Sequence, residues 1–217
     1  MAYDQQLVAA KLRRWEVYLK RYCLPAWGDI PDFGLYMEQV VVLLRQYLDY
    51  LPPELKEEQF ITAATINNYV RTRLMPEPRR KKYYRTHIAY LIMICTLKQG
   101  LSMAMIKQWL PADLDAESLE KVYTEYARRH RQTATFFAQQ VRHAAAPIMG
   151  RAPEDDLAVV DAPELIAASA VISGFSRLLS EKLLLLDGET LETVPPEALG
   201  QREAPDPGRP VEPEERA

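Results

Sequence analysis

An all-α fold with one small β wing is what the 217-residue sequence predicts, on three observations. Apolar residues recur at three- and four-residue spacing through most of the chain, the period of an amphipathic helix. Prolines and glycines fall between these stretches and punctuate them. One segment, residues 76–84, breaks the pattern with Pro76, Pro78 and four consecutive cations from Arg79 to Lys82. It suits an extended turn or small hairpin.

The elements follow in order. Leu7, Val8, Trp15, Tyr18, Leu19 and Tyr22 form an apolar stripe beside Lys11, Arg13, Arg14, Lys20 and Arg21, predicting a helix over 5–22. Pro25 to Pro31 interrupts it, and Leu35, Tyr36, Val40, Leu43, Leu44, Tyr47 and Leu48 mark a second helix over 33–50, ended by Pro52-Pro53. Thr62 is a good N-cap for a short helix over 63–73. Behind the wing, Ile88, Leu91, Ile92, Ile94, Cys95 and Leu97 make 86–98 strongly apolar, with Gly100 placed to close it. Ser102 caps a short helix that Pro111 stops near Leu110. A long helix over 116–145 carries Leu119, Tyr123, Tyr126, His130, Thr133, Phe137, Gln140 and Ala144, a seam too polar for a strong coiled coil. The apolar stretch 163–186 is the expected partner for it, within one subunit or across a dimer.

Hydrophobic residues make up 48% of the chain and charged ones 26%, so a packed core is expected. Residues 187–217 are the exception, with nine acids, three arginines and six prolines, and are expected to be disordered. Arg177, Glu181 and Lys182 interrupt the greasiest segment, 165–186, which therefore reads as a buried helix and not as a membrane anchor. Cys23 and Cys95 are far apart among apolar neighbours, as in a reducing compartment, and no basic-then-apolar leader opens the sequence. A cytoplasmic location with no membrane contact is the expectation.

The net charge of −3 conceals an asymmetry. Residues 61–110 hold nine basic residues against one acid, Glu77, a net of +8, and the remainder carries −11. A basic block in an acidic chain is the footprint of a phosphate-binding surface, although a solvated charged face reads equally well on charge alone.

The run Thr65-Ile66-Asn67-Asn68-Tyr69-Val70-Arg71-Thr72-Arg73-Leu74-Met75-Pro76-Glu77-Pro78-Arg79 resembles the MerR family of transcription regulators, whose recognition helix leads through a leucine-proline step into a basic wing. Lys82-Tyr83-Tyr84-Arg85-Thr86-His87-Ile88 is similar to the end of that wing and the helix behind it. Gly100-Leu101-Ser102 resembles the family's step into its next helix. A closer likeness, covering residues 24–110, is to an uncharacterised bacterial family carrying this MerR-like module. It is carried by Leu24-Pro25-Ala26-Trp27, by Asp32-Phe33-Gly34-Leu35-Tyr36-Met37 and by Ile61-Thr62 through Val70. The chain departs from the MerR pattern at Asn67, where that family has arginine, and at Arg73, where it has glycine.

The resemblance implies a winged helix-turn-helix over 33–111, after an N-terminal helix and linker over 1–32 and before a helical dimerisation region over 112–186. It further implies a DNA-binding transcriptional regulator acting as a homodimer on double-stranded DNA. Helix 63–73 would enter the major groove and the wing 76–85 would lie on phosphates. Asn67 and Asn68 suit adenine edges, and Arg71 and Arg73 suit guanine or phosphate. Arg79, Arg80, Lys81, Lys82 and Arg85 are the phosphate cations, with the Tyr83 hydroxyl as a further donor and Thr65 and Tyr69 completing the candidate surface.

Two other classes of function are weighed beside this one. An enzyme needs convergent titratable groups, and His87, His130 and His143 have no cysteine, serine motif or carboxylate cluster at metal-ligand or triad spacing. No enzyme, metal or cofactor is expected. A helix-turn-helix that serves protein interaction without DNA is the competing reading, supported by the acidic remainder of the chain. Trp109, Tyr123, Tyr126, Phe136 and Phe137 are candidate walls for a small-molecule effector pocket, with core packing as the plainer use of the same rings.

Overall fold

The computed structural model describes residues 3–49, 61–153, 158–185 and 187. The predicted acidic tail beyond 187 and residues 154–157 of the linker lie outside them. Seven α-helices run through the described residues: α1 (Gln5–Arg21), α2 (Met37–Tyr47), α3 (Ala63–Arg71), α4 (Arg85–Leu97), α5 (Met103–Trp109), α6 (Ala116–Ala144) and α7 (Ala162–Leu184). The fold is all-α, and among the described residues its β content is two isolated bridges, Leu35 with Tyr83 and Arg79 with Lys82.

Side-chain caps explain most of the helix starts. Asp4, Thr62, Ser102, Asp115 and Asp161 each accept from the backbone N–H three residues on, satisfying a donor that the first turn leaves without an intrahelical partner. Helix α2 is shorter than its periodicity predicts. Leu35 exchanges two backbone hydrogen bonds of 2.8 Å with Tyr83, which keeps the chain extended there, and the Gln39 amide oxygen accepts from Tyr36 N at 2.9 Å to start the helix later.

Helix α4 is the centre of the molecule. Every residue from His87 to Thr96 is buried, so no face of it meets water, and α2 and α6 pack against it. One core runs from Tyr22, Leu24 and Ile30 through Val40 and Leu44 of α2, Ile66 and Tyr69 of α3 and Ile106 of α5 to Leu119 and Tyr123 of α6. It crosses the predicted boundaries at 32 and 111, joining the N-terminal stretch and the start of α6 to the module between them.

Within the chain the last apolar helix does not take the place expected of it along α6. Helix α6 packs along α1 and α4, so its inward stripe is already occupied, and α7 rests instead on α5. The N-terminal end of α7 meets a small second cluster of Ala9, Ala145, Ile148 and Met149 through Leu165. Between those ends it is exposed, not buried as expected, with Phe175 at 67% of its full accessibility. By length and composition α7 could cross a membrane, which the charge count in the sequence argued against.

Candidate nucleic-acid interface

Helix α3 is held by one face and bare on the other. Ile66 and Tyr69 enter the core, while Ala63, Ala64, Asn67 and Arg71 are exposed at three- and four-residue spacing. Two alanines leave room for close approach, and the amide of Asn67 and the guanidinium of Arg71 supply the hydrogen-bonding groups. Arg71 donates to the Asn68 amide oxygen at 2.8 Å, linking a second amide to the same stripe.

The helix ends in a paired hydrogen-bond motif. Leu74 N donates to Tyr69 O at 2.9 Å and Arg73 N to Val70 O at 3.0 Å, the 6→1 and 5→2 bonds of a Schellman cap. That motif requires a left-handed residue, and Arg73 fills it with φ 55°. Glycine is the residue that adopts this conformation without steric cost. The buried pair Leu74 and Met75 then pins the chain before it turns outward.

The wing follows at once. Arg79 and Lys82 exchange backbone hydrogen bonds of 3.1 and 3.0 Å across Arg80 and Lys81, whose φ angles are 51° and 63°. Two left-handed residues in a two-residue loop define a type I′ hairpin, which ordinarily selects Asn-Gly. Among the described residues, the three non-glycine positions with positive φ are therefore Arg73, Arg80 and Lys81, all cations and all within one basic module.

His87 fastens the two ends of this wing. Its Nδ1 accepts from Tyr84 N at 3.1 Å and its Nε2 donates to Glu77 O at 3.0 Å, so the pairing requires the neutral ring with the proton on Nε2. Burial lowers its pKa below the ordinary imidazole value, the hydrogen bond to Glu77 opposes that, and the charge of Arg79 adds to the lowering. Gly34 is the floor of the wing. A Cβ there would lie 2.8 Å from Lys82 Cδ, 2.9 Å from Lys82 Cβ and 3.0 Å from the Tyr84 ring. Gly34→Ala is expected to cost roughly 1–3 kcal/mol in a thermal or denaturant melt, because the clash involves Lys82 Cβ and not only the mobile end of the side chain.

The predicted site residues divide accordingly. Asn67, Arg71, Arg73, Arg79, Arg80 and Lys81 are exposed, and Asn68 is half-buried beside them. Thr65 is half-buried and its hydroxyl pairs with that of Thr62 at 2.9 Å. Tyr69 and Tyr83 are core residues, 2% and 3% exposed, and so not surface donors: the first supports α3 from within and the second carries the bridge to Leu35. Lys82 is half-buried with its ammonium 5.3 Å above the Tyr36 ring. Arg85 turns inward, donating to Ile30 O at 2.9 Å near the Trp27 face, and ties residues 27–32 to α4. Sequence reasoning missed His87, Gly34 and Tyr36. The third-residue position of His87 in α4 was the one local signal of its capping role.

The five candidate effector-pocket rings do not converge. Tyr123 donates to Pro25 O at 2.8 Å, Tyr126 pairs with the Thr96 hydroxyl and lies tilted against Trp109, and Phe137 meets Trp15 edge-on at 5.7 Å. Tyr123 alone of them lines an open cleft of about 940 Å³ with Tyr22, Trp27 and Tyr47. Among the described residues no three of His, Cys, Asp and Glu are grouped to hold a metal.

No curated protein and no solved structure matches the chain. Residues 25–126, the stretch that holds α2 to α5, the wing and the core-facing start of α6, match the family model of DUF1836, a domain of unknown function.

Proposed function

We propose that this domain is a MerR-like winged helix-turn-helix that binds duplex DNA, and that the chain regulates transcription through it. Helix α3 enters the major groove with Ala63, Ala64, Asn67, Asn68 and Arg71 toward the bases, and the hairpin from Arg79 to Lys82 lies against phosphates. The observation that carries this reading is the occupancy of the left-handed positions. Each such residue costs about 1–2 kcal/mol where glycine would cost little, and strain of this kind gathers at functional sites. Cations at all three positions make sense when their charges are needed at those points. A solubilising loop has no use for that arrangement.

The exposed stripe of α3 supports the same reading, since its amides suit adenine and its guanidinium suits guanine or phosphate. Selection from a random-sequence duplex pool tests it. Enrichment of a defined site is expected, and Asn67→Ala is expected to relax preference at one or two positions, costing about 1–3 kcal/mol of discrimination while leaving the salt dependence unchanged. A protein that binds duplex DNA but enriches nothing would be a non-specific binder. One that binds no duplex would be a protein-interaction module.

A further inference from the structure

The exposed helix α7 carries a seam of unusual regularity. Glu164, Ala168, Val171, Phe175, Leu178 and Lys182 follow one another at alternating four- and three-residue spacing, the repeat of a coiled-coil seam. All except Ala168, which is half-buried, are exposed. The seam runs along the outward face, because Ala162, Leu165, Ser180, Leu183 and Leu184, which face the rest of the chain, all lie off its line. It begins with an acid and ends with a base. At 1.5 Å per residue these charges stand about 27 Å apart on one line.

From this pattern we infer that α7 is the contact between two copies of the chain, paired antiparallel about a two-fold axis beside Ser173. In that register Glu164 of each copy meets Lys182 of the other, Ala168 meets Leu178, and Val171 meets Phe175. Opposite charges face each other at both ends, and the smallest seam residue faces a large one. A two-fold contact must be self-complementary in this way, residue i meeting j and j meeting i. Ile172 and Leu179, also exposed, border the seam and widen the covered area. A parallel pair would set Glu164 against Glu164 and Lys182 against Lys182. A lipid surface would have no use for an acid and a base in line with the apolar residues. The dimer-forming helix is then α7, and not α6, whose inward stripe packs on α1 and α4 within the chain. The inference stands apart from the DNA-binding reading and is tested without DNA.

Sedimentation equilibrium of the full chain at micromolar concentration is expected to give a dimer. Phe175→Glu is expected to give a folded monomer by circular dichroism. Lys182→Glu and Glu164→Lys should each weaken association about tenfold, because two symmetry-related pairs turn repulsive at once. The doubly swapped chain, E164K/K182E, should return to within about threefold of the original. Glu164 also accepts from Val160 N, and loss of that cap alone would not be rescued by the second change. A monomeric wild type overturns the proposal, as does a dimer indifferent to the charge reversals. A chain that is monomeric in solution yet co-sediments with phospholipid vesicles would identify a membrane as the occupant and overturn it equally.

Discussion

Replacing Arg80-Lys81 with Asn-Gly is expected to make the protein more stable and a weaker DNA binder at the same time. The two residues sit at φ 51° and 63° in a loop whose geometry ordinarily selects Asn-Gly. Relief of the left-handed strain, less the extra freedom that glycine gives the unfolded chain, should add about 1–2 kcal/mol. In a domain of this size that raises Tm by a few degrees. Removing two phosphate cations should lower the magnitude of the log–log salt slope of duplex binding by about 2. Arg73→Gly, at φ 55°, should behave in the same sense with a smaller effect on each side. Opposed changes in stability and binding separate a functional cation from a structural one. An alanine scan cannot make that separation here, because alanine in these positions keeps the strain.

His87→Ala is expected to be the most damaging single change near the site. It leaves Tyr84 N and Glu77 O without their partners and opens space beside Ile88 and Tyr83, for a loss of roughly 2–4 kcal/mol in a denaturant melt. The wild type should also lose stability in acid. The unfolded chain takes up the His87 proton near pH 6.5, whereas the folded ring resists it because burial lowers its pKa. Stability is therefore undiminished above about pH 6.5 and falls as the pH drops through that value toward the depressed native pKa. His130, lowered by burial alone, adds to the fall with the same sign. Tm measured from pH 7.5 to 5 should decline in the wild type and decline less steeply in His87→Ala. Duplex binding by the variant, measured where it is still folded, should weaken because the two ends of the wing are no longer fastened to α4.

Helix positions were largely legible in the sequence because their causes are local. Thr62 and Ser102 cap α3 and α5 where the periodic stretches begin, and Pro111 follows directly on the end of α5. Gly100 does not take the left-handed conformation expected of it, and α4 closes through Lys98 instead. The start of α2 was not legible, since Leu35 is held extended by Tyr83, far along the chain. The surroundings of α7 were misread for a related reason: periodicity reports that a face is apolar and says nothing of what covers it.

The candidate site shows the same division. Asn67, Arg71 and the cations from Arg79 to Lys81 were named from residue type and position, and the structure leaves their side chains exposed. Arg85, Tyr69 and Tyr83 carry equally suitable groups, but packing takes them inward, and one sequence does not reveal which side of a helix or wing the core will claim. The arginine at 73, standing where the resembling family has glycine, was visible as an oddity of composition. Its backbone conformation turns that oddity into a physical cost.

Fluorescence polarisation of labelled mixed-sequence duplex DNA, titrated with the wild-type protein over a salt series, tests the central claim most directly. DNA binding by this domain predicts affinity that falls steeply with salt, with a log–log slope of about −0.9 for each phosphate contacted. A folded protein that leaves the polarisation unchanged even at low salt would contradict it.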